Sequence, residues 1–135
     1  MFKVLKTTKI LPSQDFLKEN TVKYILDCLK NNTLDKLPTT PIVRKIGEDY
    51  VALDGHNLIA VMDYLGREVE VYVAATNKAT LIGSSQAVAA RNKEIKDKFD
   101  HLPFALNITQ EKGIFEFKDL VNKYAKLFNF DIDSI

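Results

Sequence analysis

Apolar residues fall along this chain in two periods, and the switch between them is sharpest from Tyr50 to Gly66. Tyr50, Val51, Ala52 and Leu53 make a strand-like run, and Asp54-Gly55 signals a turn. Leu58, Ile59, Val61, Met62 and Leu65 then recur at helical spacing until Gly66 ends the pattern. Strand, tight turn and helix are predicted in that order. A strand that feeds a helix through a glycine leaves the first NH groups of the helix without intrahelical acceptors, with the positive end of the helix dipole behind them. Such a corner suits a phosphate or a carboxylate.

The flanking pattern predicts the elements around this unit. Phe2 to Ile10, rich in β-formers and loosely alternating, reads as one strand ending at Leu11-Pro12. Ser13 is placed to cap a short helical turn, and Asn20 or Thr21 to open a helix with Val22, Ile25, Leu26 and Leu29 on its apolar face and Asn31-Asn32 at its end. The prolines and threonines of Leu34 to Pro41 make an extended connector. Ile42 to Ile46 and Tyr50 to Leu53, joined by Gly47-Glu48-Asp49, form an antiparallel pair. Val69, Val71 and Val73 alternate with Glu70 and Tyr72, a half-buried strand whose place after a strand-helix unit predicts a parallel neighbour in the same sheet.

Beyond it, Thr76 to Gly83 reads as irregular or edge-like, and Ser84 or Ser85 as the cap of a helix that runs to about Phe99 and is broken by His101-Leu102-Pro103. Phe104 to Ile108 fits a short strand, and Gly113 marks a turn. Phe117, Leu120, Val121, Tyr124, Leu127 and Phe128 stripe a last helix whose aromatic face is core packing. The expected fold is α+β and one domain: residues 1–82 form a mixed sheet with helices, and residues 83–135 a mainly helical extension packed on it.

Composition narrows the chemistry. A chain of 135 residues with 46% hydrophobic residues holds one core without a staple. No apolar run approaches the ~20 residues of a membrane span, and Met1 to Lys6 lacks a secretory apolar core, so a cytoplasmic, membrane-free protein is expected. Cys28, the single cysteine, lies beside Ile25 and Leu29 and reads as packing. With two histidines and one cysteine a zinc site is not expected, nor is haem. Net charge is +1, and the slight excess of seven lysines over four acids in residues 1–40 is a solvated surface rather than a nucleic-acid stripe, so nucleic acid is not a favoured partner. Walker and Rossmann glycine spacings are missing, and a helix-turn-helix is hard to place.

Two readings of Asp54-Gly55-His56-Asn57 remain open on the residues alone. Asp54 can simply cap the helix, a contribution of ~1 kcal/mol that needs no ligand. Alternatively Gly55, His56 and Asn57 converge on a bound phosphate, and Asp54 holds Mg2+ or acts as a base; a bare carboxylate beside a phosphate would repel it, so a metal or a proton belongs between them.

Ile10-Leu11-Pro12-Ser13-Gln14, the helix from Val22 to Leu29, Pro41-Ile42-Val43 and Tyr50 to Leu58 with Ala60 resemble, together, a ParB/sulfiredoxin-fold domain over about residues 4–75. The nearest flavour is the small stand-alone ParB-like nuclease proteins, in which Pro-Thr-Gln stands for Pro12-Ser13-Gln14 and Asp-His-His-His-Leu for Asp54-Gly55-His56-Asn57-Leu58. The resemblance implies a phosphate-binding helix end, with Ser13 and Gln14 joining Gly55, His56 and Asn57, and ATP or another nucleotide with Mg2+ as cofactor. It also implies Asp15 as an acidic helper from the turn after the first strand, beside Asp54 and His56 as catalytic groups. The chain departs from the pattern in four places. Leu58 stands where the serine kinases and sulfiredoxins of the family carry arginine, His56 stands where sulfiredoxin carries its cysteine, and the arginine-rich turn of partition proteins is missing. The acidic residue that the serine kinases place after the first strand has only Gln14 or Asp15 to match it, and Asp15 is shorter by one methylene.

Three functions follow as alternatives. One is a nucleotide-dependent phosphotransferase acting on a small hydroxyl substrate; another is a non-catalytic binding module whose helical C-terminal third contacts a partner. The third is a nuclease or nucleic-acid binder with His56 as acid or base.

Overall fold

A computed structural model describes residues 1–75 and 86–130. Five strands form one mixed sheet: β1 (Phe2–Leu5), β2 (Ile10–Leu11), β3 (Ile42–Ile46), β4 (Asp49–Asp54) and β5 (Val69–Val73), in the order β1-β5-β3-β4-β2. β3 and β4 are the antiparallel hairpin that the pattern predicts, with Val43 opposite Ala52 and a bulge between Ile42 and Val43. β5 runs parallel to β3, the parallel neighbour that the pattern predicts, and antiparallel to β1; it is also antiparallel in direction to β4, the strand from which α2 leads into it. The architecture is therefore α+β around a mixed five-stranded sheet.

Five α-helices stand among the described residues: α1 (Glu19–Lys30), α2 (His56–Tyr64), α3 (Gln86–Phe99), α4 (Leu102–Glu111) and α5 (Phe117–Tyr124). Alternation along the strands sends side chains to two cores. Val43, Ala52, Val69 and Val71 pack with Ile25 of α1, Ile59 of α2 and Phe117 and Leu120 of α5. Ile42, Val51 and Leu53 pack with Ile95, Phe99 and Leu102 of α3 and α4. The C-terminal helices thus supply cover to both faces of the sheet.

Several elements differ from expectation for local reasons. Phe2 to Ile10 is not one strand: β1 and β2 lie at opposite edges of the sheet, separated by a 3-10 turn at Thr7–Lys9. Thr7 is buried at that turn and donates its hydroxyl to Asp63 Oδ1 of α2 at 2.7 Å. Phe104 to Ile108 is helical, within α4: Pro103 stands in the first turn, where its missing NH costs nothing, and burial of Leu102 and Thr109 favours the helical period over the β-propensity of the segment. Ser13 caps no helical turn, since its hydroxyl donates to the carbonyl of Ala52. α1 opens at Glu19, one residue before Asn20, and a 3-10 turn at Leu34–Lys36 interrupts the connector. The expectations for Thr76 to Gly83 and for caps at Ser84 or Ser85 lie outside the described residues.

Candidate functional site

The corner between β4 and α2 is built on Gly55. Its φ of +89° is the left-handed region that side chains avoid, and a Cβ there would lie 2.6 Å from Pro41 Cβ and 2.8 Å from its Cα. Both backbone conformation and close approach therefore demand glycine. Gly55 is also the N-cap of α2, and among the described residues no side chain caps that helix. Asp54 instead accepts the NH of Gly55 at 2.9 Å through Oδ1, so the capping role that the sequence offered it is not the one it plays. The first turn of α2 is left to present its NH groups and its dipole outward.

In front of that turn lies a cavity of about 350 Å3. Asp54, Gly55, His56, Asn57 and Leu58 form one wall, the segment carrying Gln14, Phe16 and Lys18 the opposite one, and Thr39 and Lys98 close the sides. Among the described lining residues two lysines stand with one aspartate. Of the residues proposed from sequence, Asp54, Gly55, His56, Asn57 and Gln14 are brought together here. Ser13 stands just behind Gln14, with its NH on His56.

Asp15 is not at the cavity. Its carboxylate pairs with Lys112 at 3.3 Å, and its carbonyl accepts from Lys123 Nζ at 3.1 Å and from the Tyr124 hydroxyl at 3.4 Å. The Lys112 ammonium holds the Asp15 carboxyl below its ordinary range, and Lys123 adds to that effect. Asp15 therefore ties the wall of the cavity to α4 and α5.

His56 is the most constrained polar group of the corner. It is 3% exposed and packs its ring at 5.6 Å from that of Phe117. Nε2 accepts the NH of Ser13 at 3.0 Å, while the Ser13 hydroxyl, 3.4 Å from the same nitrogen, gives its proton to Ala52 O at 2.6 Å. The neutral ring accordingly carries its proton on Nδ1. Burial, reinforced by the positive charge of Lys98, lowers its pKa to about 3. A group in that state does not change charge near neutral pH; its work is to fix the loop that carries Gln14 against the helix. Asn57 does the same one residue on, accepting the NH of Lys18 at 2.8 Å through Oδ1 and so satisfying the backbone where α1 begins.

Sequence reasoning missed Lys18 and Lys98. Lys18 carries a weak signal, since it follows the Pro12-Ser13-Gln14 segment that the resemblance already placed at the site. Lys98 carries none, being one of several lysines on α3. The α3-α4 bend brings it in: Arg44 donates to the carbonyl of Phe99 at 2.6 Å and lies 4.1 Å from that ring, which anchors the end of α3 beside the corner.

The donor set at the cavity admits Mg2+ only together with a phosphate ligand. Among the described residues Asp54 is the single carboxylate on the lining, and no group of three or more His, Cys, Asp or Glu suited to a metal occurs. One carboxylate plus phosphate oxygens and water is a common Mg2+ arrangement. Compared with protein-family models and with curated proteins, the sequence matches none.

Proposed function

We propose that the cavity in front of α2 binds the phosphate groups of a nucleotide or another small phosphorylated ligand. The observation that carries this reading is the helix end without a side-chain cap, opening on a 350 Å3 space between Lys18 and Lys98. Helix NH groups and ammonium groups that converge on one volume are a phosphate site in charge and in donor geometry. The volume falls in the usual range for small-molecule pockets. The sequence resemblance to ParB/sulfiredoxin-fold domains points to the same helix end. In this reading Asp54 would either hold Mg2+, which would supply the remaining positive charge, or take a proton from an attacking hydroxyl.

A second reading, a binding module without catalysis, is favoured by one specific observation. His56 and Asp15, two of the three groups that the family pattern would use chemically, are engaged in holding the loop.

Thermal unfolding with ATP, ADP or CTP, with and without Mg2+, tests the proposal. A site filled to about 100 times its dissociation constant adds about 2.7 kcal/mol, a rise of several degrees for a domain of this size. The rise is expected in wild type and should be mostly lost in the double variant Lys18→Gln, Lys98→Gln, whose substituted side chains are exposed and leave folding intact. No rise with any nucleotide would sink the reading. If the rise persists in Asp54→Asn without Mg2+ and no phosphate is transferred to hydroxyl acceptors, the binding module is the better description.

A further inference from the structure

A groove of about 260 Å3 runs along the connector between α1 and β3. Pro38 and Leu58 line both this groove and the cavity in front of α2, so the two are neighbours. The groove is largely apolar: Leu58 is buried, Leu37 and Met62 are half-buried, and Leu34, at 54% exposure, leaves much of its side chain in water. Pro38 and Pro41 restrict the backbone of one wall, and Pro41 is pressed against Gly55, so little ordering remains to be done when the groove is filled. Its charged groups are carboxylates, where those of the cavity are mainly lysines. Glu68 and Glu70, both exposed, stand on the lining; among the described residues no Lys or Arg lines the groove, and neither carboxylate has an ion pair.

We infer that the groove docks a segment of a partner polypeptide in which one aliphatic or aromatic side chain lies within about three residues of a lysine or arginine, a reach of about 10 Å. The apolar side chain covers Leu34, Leu37 and Met62, and its burial supplies affinity. The ammonium or guanidinium meets Glu68 and Glu70 and supplies selection, since a segment with an acid at that place is repelled. The same two carboxylates exclude a nucleic acid or an anionic lipid surface, whose phosphates they would repel. A small free cation would leave Leu34 and Leu37 wet, and an uncharged apolar molecule would take water from two carboxylates without replacing it. A peptide segment carries both groups on one backbone. Nothing in this docking requires the neighbouring cavity to hold a phosphate.

Selection from a random peptide display library, with the full chain as bait, tests the groove without choosing a sequence beforehand. Enriched peptides should pair an aliphatic or aromatic residue with Lys or Arg at the stated spacing and should lack acids. Titration of the most enriched peptide then compares wild type with Leu34→Asp and with the double variant Glu68→Gln, Glu70→Gln. All three positions are exposed, so both proteins should unfold at the wild-type temperature. Affinity should fall about tenfold in each, through lost apolar burial in the first and lost charged hydrogen bonds in the second. Added salt should weaken binding to wild type more than to the double variant. No enrichment, enrichment of acidic peptides, or an affinity unmoved by both variants overturns the docking site. Self-association of wild type that both variants abolish assigns the groove to a second copy of the chain and overturns it as well.

Discussion

The two ends of strand β4 both turn through a glycine at positive φ, yet they are different kinds of structure. At the hairpin end Gly47 has φ +60°, and a Cβ placed on it would meet nothing within 4 Å. Glu48 and Asp49 beside it are exposed. At the corner end Gly55 is pressed on Pro41, His56 behind it is buried, and Asn57 and His56 reach across to hold the segment from Ser13 to Lys18. The hairpin turn closes a local loop and little depends on it. The corner turn fixes three segments far apart in sequence, and what it fixes is the wall of a cavity. The same residue type thus marks a connection at one end of a strand and the wall of a cavity at the other, and the contacts around it tell them apart.

The largest expected effect that separates the ends is acid sensitivity. The corner depends on a histidine that is neutral when folded, with a pKa of about 3 against an ordinary 6.5. The unfolded chain therefore binds a proton at this residue that the folded chain refuses, and stability rises with pH across that interval. The contribution is full above pH 6.5 and falls away as the pH drops toward 3, by about 4 to 5 kcal/mol over the whole window. Between pH 6.5 and 4.5 most carboxylates are still ionised, so denaturant unfolding in that range reads His56 with little interference. A falling midpoint is expected in wild type and a nearly flat one in His56→Gln, whose amide has no charge to gain. Equal slopes in the two proteins would mean that His56 is not the buried neutral group at the corner.

Next in size is the glycine pair itself. Gly47→Ala forces a Cβ into the left-handed region without a clash, a loss of about 1 to 2 kcal/mol. Gly55→Ala carries the same backbone penalty and must also displace Pro41, for a total of about 3 to 4 kcal/mol. Thermal unfolding of both variants ranks them, and the difference between them measures the close approach alone. Similar losses would show that the corner backbone yields easily and that its rigidity has been overstated. Asn57→Ala belongs between or below these, at about 1 kcal/mol, for the lost hydrogen bond to the Lys18 NH.

How much of this was legible in the residues depends on how local each feature is. The hairpin, the central turn and α2 follow from an apolar run, a glycine and a helical period that lie next to one another, and the structure has them as read. Phe2 to Ile10 reads as one strand because the contact that separates β1 from β2, Thr7 to Asp63, spans 56 residues and leaves no mark on the pattern. Phe104 to Ile108 reads as a strand because five residues are too few to show a period, and the burial that makes them part of α4 falls outside Phe104–Ile108, at Leu102 and Thr109. At the corner, Asp54 to Asn57 read as a group because they are contiguous. The contact that buries His56 leaves no such mark, because a histidine in a first helical turn looks alike whether it faces a ligand or, as here, accepts an NH from Ser13, 43 residues away. Lys98 reaches the cavity only through the bend that Arg44 anchors, a relation between residues 55 apart that no spacing rule contains.

The smallest effect concerns the clamp on the cavity wall. Lys112 and Asp15 form an exposed pair, and such pairs contribute about 0 to 1 kcal/mol, less in salt. Lys112→Ala should therefore leave the unfolding temperature nearly unchanged. Its consequence lies elsewhere, because Asp15 sits between Gln14 and Phe16, both of which line the cavity, and the pair restrains where those side chains stand. If the corner is a site rather than a connection, releasing this restraint should weaken nucleotide binding by several-fold at low salt while wild type and variant converge at high salt, where the pair is already screened. The carbonyl of Asp15 remains held by Lys123 and Tyr124 in both proteins, which keeps the effect modest. A loss of stability without a change in affinity would place the pair with the hairpin turn, as a local contact on which the cavity does not depend.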